Sequence, residues 1–379
     1  MRMWKTPTIL VGIVLLLLAL GIVMLASASS VKGGDVHNDP SFFLKRQMAW
    51  LAVALIAGVL AASIDYHRWK DYWIPLAVLS AALLVVVLIP HIGFKIGGSR
   101  RWLKAGSVSF QPSEFAKFAV VITLSAWTTL VGRKASTFKD GILKPGIMLG
   151  AAIGLIFMEP DFGTTILVAL VGGAILFAGG SPWPYLAGGG TVGFAALAMA
   201  ILHDDVRRGR ILAFLMPDKY PAAAYQLGQS MEAFTMGGFW GVGLGESMQK
   251  QFFLPEAHTD FILAIIGEEL GLVVTCLVLA LFAGFLVCGM VISLQAPDLF
   301  GRLLGTGFTL MTTIQAVINV GVVTGCLPTK GLPLPFISYG GSSLLMSMIA
   351  VGVLVNIGRQ AVSEPGQLRQ AVRDKAQWL

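Results

Sequence analysis

Ten stretches of this chain are apolar for long enough to cross a lipid bilayer, and that feature closes most of the fold space open to it. A span needs about 20 mainly apolar residues to cross a hydrocarbon layer about 30 Å thick. The stretches cover residues 8–26, 48–63, 73–90, 115–131, 142–158, 163–178, 185–202, 261–293, 303–325 and 337–357. Backbone amides and carbonyls cannot stay unpaired in lipid, so each stretch is expected to be a helix. The expected fold is an all-α integral membrane protein, a polytopic bundle of about ten transmembrane helices. A long extracytoplasmic loop, 203–260, separates spans seven and eight. Of 379 residues, 56% are hydrophobic and 12% charged, where a soluble domain carries roughly 25% charge. A soluble enzyme or a nucleic-acid-binding module is thereby excluded. The membrane domain is expected over 1–362, with 363–379 as a cytoplasmic tail.

The first stretch follows Arg2 and Lys5 and ends at Ala26-Ser27-Ala28, the outline of a secretory signal. It is longer than the 7–15 apolar residues typical of such a signal, so it reads as a retained first helix. Cys276 and Cys288 lie inside a span and Cys326 at a helix end, an odd set that suggests no disulfide framework.

Lys and Arg in the short connections set the orientation. With the N-terminus inside, the inner segments hold Arg68, Lys70, Arg133, Lys134, Lys139, Lys144 and Arg302, and the tail adds Arg359, Arg369, Arg373 and Lys375. Two outer segments break the rule. One carries Lys95, Arg100, Arg101 and Lys104, and the long one carries Arg207, Arg208, Arg210, Lys219 and Lys250. A long loop translocates whatever its charge, which accounts for the second case but not the first. Basic charge kept outside against the bias suggests an anionic ligand there.

Within the long loop, 204–215 reads as an amphipathic helix at the interface. Gly237, Gly238, Gly241, Gly243 and Gly245 mark a flexible turn. The last three are spaced like a dinucleotide loop, but no strand is expected before them. Metal-type Cys/His spacing, a Walker sequence and internal repeats are all missing from the sequence.

Three polar clusters stand at the outer ends of helices. Asp260 opens the eighth span, where the helix dipole favours its ionised form, and Thr259 or Asp260 suits an N-cap. Glu268 and Glu269 follow two turns into the same span, where carboxylates are either functional or neutral and hydrogen-bonded. In the second cluster Glu114 and Lys117 share a helix face, either neutralising each other or lining a cavity that opens outward. In the third, prolines and glycines between Pro328 and Gly341 suit a rigid re-entrant loop with Lys330 at its tip, the alternative being an ordinary surface turn.

These residues resemble the SEDS family (shape, elongation, division and sporulation). The likeness is carried by Ser99-Arg100-Arg101-Trp102, Gln111-Pro112-Ser113-Glu114 with Lys117, and Glu159-Pro160-Asp161-Phe162-Gly163-Thr164. It continues through Tyr225-Gln226, 243–250, 254–262, Gly267-Glu268-Glu269-Leu270-Gly271 and 328–343. Gln249-Lys250 and the Ala257 before His258 look like the division branch rather than the rod-elongation branch. The resemblance implies a peptidoglycan glycosyltransferase that polymerises lipid II, an undecaprenyl diphosphate-linked disaccharide pentapeptide, at the outer face of the bacterial cytoplasmic membrane. It also implies a class B penicillin-binding protein and other divisome proteins as partners. Asp260 is then the catalytic base, with Arg101, Lys117 and Lys330 on the diphosphate. Glu114, His258, Gln249, Lys250 and Ser338 complete the expected substrate-binding set. A divalent cation such as magnesium or manganese could share the work on the diphosphate, and no organic cofactor is expected. A lipid II flippase and a scaffold for partner proteins remain as rivals.

Overall fold

A computed structural model describes residues 5–376 except 97, 98, 107 and 252. Arg2 and the side chains of Arg207, Arg369, Arg373 and Lys375 lie outside the described residues. In chain order the helices are α1 Thr6–His37, α2 Phe42–Ser63, α3 His67–Asp71, α4 Trp73–Leu88, α5 Pro112–Val131, α6 Lys144–Met158 and α7 Phe162–Ala178. They continue with α8 Trp183–Leu202, α9 Asp205–Leu215, α10 Pro221–Gly237, α11 Ile262–Leu294, α12 Leu299–Val323 and α13 Gly341–Ala376. Among the described residues eight are long and apolar enough to cross a membrane, counting α6 together with the helical turn before it (Lys139–Met158), and α4 and α7 are shorter apolar helices in the places of the third and sixth spans. The expected bundle is therefore present.

Polar residues inside apolar spans decide which spans are central. Helices α5, α12 and α13 carry Glu114, Lys117, Gln315, Asn319, Ser342 and Ser343, all buried. Lipid cannot solvate such groups, so their faces turn inward. In contrast, α8 buries none of its residues. Between α2 and α13 a Cβ on Gly352 would overlap the Gly58 carbonyl oxygen. Two backbones that close are the membrane form of helix packing, driven by dispersion because lipid supplies no hydrophobic force between helices.

The connection between α4 and α5 is not the plain loop expected. It forms a three-stranded antiparallel sheet, β1 Gly93–Ile96, β2 Ser99–Ala105 and β3 Val108–Phe110, in the order β1-β2-β3. Phe94 lies opposite Trp102 and Leu103 opposite Phe110, so β2 holds the basic run Arg100-Arg101 in a fixed register.

The second departure is in the eighth span, which is not one helix. At Gly271 the backbone leaves the helical region, with φ 76° and ψ −176°. Such a break would strand the carbonyls of Glu268 and Glu269 and the amides of Leu272 and Val273. A strap following α10 takes up all four. Leu272 N donates to the Gly238 carbonyl and Val273 N to that of Phe239, while Val242 N donates to Glu268 O and Gly243 N to Glu269 O. The glycine-rich segment expected as a flexible turn is therefore a built-in piece of packing. Glu268 and Glu269, expected within a span, sit before the break. The remaining residues 272–294 still give about 34 Å of helix, enough to cross.

The strap explains two of its glycines. At Gly241, φ is +81° and a Cβ would overlap the Glu269 carbonyl, whereas Gly245 shares the left-handed backbone with open space around it. Gly241→Ala is expected to lower stability by about 2–4 kcal/mol, and Gly245→Ala by only about 1–2 kcal/mol. Thermal melts of both variants in detergent measure the difference. Equal melting temperatures would show that the strap is not held against the helix break.

Candidate functional site

At the end of the bundle that carries the sheet, a polar cavity of about 350 Å³ opens between the helices. Its walls come from five places in the sequence. The sheet supplies Arg101 and Trp102, the starts of α5 and α7 supply Gln111, Glu114, Asp161 and Thr164, and α9 and α10 supply Arg210 and Gln226. Residues 256–261 and 329–343 close it with Glu256, Asp260, Lys330 and Gly331 among others.

Asp161 fixes the sheet side. One oxygen caps α7 by accepting from Thr164 N at 3.1 Å, and the other lies 3.4 Å from Arg101 Nη1 and from Gln111 Nε2. The carboxylate thus serves a helix N-terminus and a guanidinium together, both favourable to its charge. It holds Arg101 at the cavity wall.

The opposite wall is irregular backbone, and buried side chains tie it down. Asn319 on α12 donates from Nδ2 to both Asp260 O and Leu332 O, each at 2.7 Å. Gln315, one turn away, donates to Pro333 O at 2.8 Å and accepts from Lys117 Nζ at 2.7 Å. Lys117 in turn pairs with Glu114 at 2.8 Å. Ser338 donates to Thr259 O and accepts from Leu334 N, and Tyr339 N donates to His258 O. The expected rigid re-entrant loop is therefore held from below by α5 and α12 and from the side by residues 258–260. Gly331 approaches Asp260 so closely that a Cβ there would sit 2.8 Å from Oδ2.

Asp260 is the chemically unusual group. Burial pushes its carboxyl up to about 7, helped by the charge of Glu256 and opposed by Arg101. The dipole argument from sequence expected the reverse, an Asp held ionised. The helix begins after Phe261, with no side-chain cap, so the carboxyl gains no hydrogen bond from the helix end. Burial would also raise Glu256, but the Thr259 hydroxyl and Lys32 outweigh it and hold it low. Lys330 is lowered by burial, against the pull of Asp161.

The expected site residues divide between the cavity and its supports. Asp260, Arg101, Lys330 and Glu114 line the cavity. Lys117 and Ser338 hold the loop from behind. His258 is packed between Phe43 and Tyr339, with ring centroids 4.8 and 5.9 Å away, and burial lowers it to about 4. Gln249 and Lys250 belong to the strap. Lys250 Nζ lies 2.9 Å from Glu269 and donates to Ser27, while Glu268 accepts from the Ser247 hydroxyl and the amides of Met248 and Gln249. From sequence, Asp161 and Glu256 appeared only within family motifs and Arg210 only within the basic set of the long loop, none with a role of its own, and the tether Asn319 was not singled out. Asp161 was visible as a charge between two apolar runs, and Asn319 as a polar residue inside a span.

Among the described residues no three His, Cys, Asp or Glu side chains converge as metal ligands. The residues present thus do not form a protein cage for magnesium or manganese.

Residues 7–363 match the family model described as cell cycle protein, and the chain belongs to that family, the SEDS family of its motifs. A probable peptidoglycan glycosyltransferase FtsW from Trichlorobacter lovleyi is 41% identical over 94% of each chain. One from Thioalkalivibrio sulfidiphilus is 43% identical, covering 94% of this chain and 90% of the relative. Stage V sporulation protein E of Bacillus subtilis is 39% identical over 93% of this chain and 96% of its own. Among solved structures, a chain of a peptidoglycan synthase complex that coordinates polymerization and crosslinking is 29% identical, with a TM-score of 0.75 over 93% of this chain and 97% of that one. The rod shape determining protein RodA of Thermus thermophilus is 28% identical, with a TM-score of 0.70 over 93% and 96%.

The raised Asp260 makes the site a stability cost at neutral pH. Between the ordinary aspartate value of 3.8 and about 7 the folded chain holds a proton that the unfolded chain has lost, so folding weakens as pH rises through that window. Asp260→Asn is expected to melt a few degrees above the wild type at about pH 7.5 and to lose the advantage near about pH 4. Parallel melts across that range check it. A variant less stable than the wild type throughout would mean the carboxylate is held by favourable contacts instead.

Proposed function

We propose that this chain is a peptidoglycan glycosyltransferase that polymerises lipid II. What carries the reading is the cavity itself, in which the proton-accepting Asp260 stands among the cationic Arg101, Lys330 and Arg210 at the end of a membrane bundle. An undecaprenyl chain belongs in lipid, its diphosphate needs cations at the bilayer surface, and its sugars need a polar cavity beyond. The relatives bearing the printed activity support the same reading. The opposite end of the bundle gathers Arg68, Lys70, Arg133, Lys134, Lys139, Lys144, Arg302 and Arg359, which supports both termini in the cytoplasm and the cavity outside.

In the proposed step, the 4-hydroxyl of the acceptor's N-acetylglucosamine attacks C1 of the donor's N-acetylmuramic acid. The new C1–O bond forms as the C1–O bond to the diphosphate breaks, with inversion. Asp260 takes the hydroxyl proton, and Arg101 and Lys330 hold the charge that develops on the departing diphosphate. Because the diphosphate leaves readily, a paired acid carboxylate of the hydrolase kind is not needed. A class B penicillin-binding protein and other divisome proteins are the proposed partners, with the division septum of the cytoplasmic membrane as the place of action.

Asp260→Asn is expected to lower glycan synthesis by about 10²–10⁴-fold in liposomes with lipid II and the partner, while lipid II still binds. Measuring translocation of lipid II in the same liposomes separates the rival: selective loss of translocation with normal chains would make the protein a flippase.

The pH dependence supplies a second check. Activity should rise through about pH 7 as Asp260 loses its proton. Glu256→Gln removes a negative charge that helps keep that proton on, so the rise should move to lower pH. A pH–rate profile whose acid limb is unmoved by Glu256→Gln would detach the limb from Asp260.

A further inference from the structure

Glu159 lies at the turn between α6 and α7 with no exposed surface, and the mechanism gives it no task. Among the described residues neither of its carboxyl oxygens has a hydrogen-bond partner. A carboxylate buried without a donor costs several kcal/mol, so such a group keeps a proton instead. Two charged groups act on it: the Asp161 carboxylate from the start of α7 and the Arg101 guanidinium from β2. Arg101 cannot serve both carboxyls equally, because one edge is already given to Asp161 at 3.4 Å. Its Nε is buried and, among the described residues, has no acceptor. Burial first, and then the charge of Asp161, push Glu159 up to about 8 against the pull of Arg101.

We propose that Glu159 is a positioning residue, an uncharged carboxyl behind the Asp161–Arg101 pair that leaves the positive charge of the cavity available to the substrate's diphosphate. The inference rests on the reading above, that this cavity receives a diphosphate. Arg101, Lys330, Asp161 and a neutral Glu159 together carry one positive charge. Ionising Glu159 brings that group to zero and sets a second carboxylate in competition for the guanidinium. The anion would then meet less attraction at this wall of the cavity. Glu159 itself touches no substrate atom in this scheme. It acts through Arg101, and only while it holds its proton.

The experiment measures binding of undecaprenyl diphosphate to the full chain in detergent at about pH 7 and about pH 9, beside polymerisation with lipid II and the partner at the same pH values. The wild type should bind about tenfold more weakly at the higher pH. Glu159→Gln, which copies the uncharged carboxyl, should bind as the wild type does at the lower pH and lose clearly less affinity than the wild type at the higher one, where Asp260 ionises in both. Glu159→Met, also uncharged, should behave likewise and covers the case in which the Gln variant does not fold. If the alkaline loss is as large in either folded variant as in the wild type, ionisation of Asp260 or deprotonation of Lys330 is its cause and the inference falls. Weak binding by both folded variants at both pH values, or no binding by the wild type, also overturns it. If the binding pattern holds but the wild type makes no glycan, the positioning role stands and the polymerase reading fails.

Discussion

Every backbone amide and carbonyl at membrane depth has to find a partner inside the protein, and the two irregular regions of this bundle are both shaped by that demand. At Gly271 the helix opens, and residues 238–243 of the strap make four hydrogen bonds with it, two strap carbonyls accepting from helix amides and two strap amides donating to helix carbonyls. Around Pro328 to Tyr339 no helix exists to close the ladder, so side chains replace it. Asn319 and Gln315 rise from α12, Gln47 comes from α2, and Ser338 turns back on its own loop. The polar residues of the central spans are therefore structural before they are chemical. They are what allows non-helical backbone, and with it a shaped cavity, to exist beside lipid.

The same enclosure sets the electrostatics. A low-dielectric wall raises Asp260, and it also lowers Lys330. Neither shift suits stability at neutral pH, since each disfavours the ionised form. A base whose proton leaves near about pH 7 is nonetheless matched to the task proposed for it. Asp161 shows the opposite arrangement, a carboxylate with a helix N-terminus on one oxygen and a guanidinium on the other. The cavity thus sets differently housed carboxyls side by side. Only the local supply of donors and cations distinguishes one from the next.

Much of this was legible in the chain. The apolar runs predicted the spans because lipid imposes a length and a composition on any helix that crosses it, and no distant contact can relax either. The basic run at Arg100-Arg101, the Asp at position 260 and the lysine at position 330 stood out because charge near membrane boundaries is rare enough to notice. The Gly271 break was not legible. Its residues read as one continuous apolar run, and the partners that open it lie some thirty residues earlier. A separation of 19 residues likewise hid the role of Lys250. A lysine in a motif can meet a substrate or a carboxylate, and only the fold brings Glu269 to it.

The sequence alone therefore determined the helical membrane bundle and the family, since each depends on local composition or on residues in a fixed order. The tertiary structure decided which polar side chains face the cavity and which brace it, and it raised Asp260 while holding Glu256 low. Lys117 is held behind the loop by Glu114 and Gln315, while Lys330 lines the cavity that also holds Asp260. Spacing cannot separate those two lysines, because a charge takes its character from the groups that surround it in space, and these come from helices far apart in the chain.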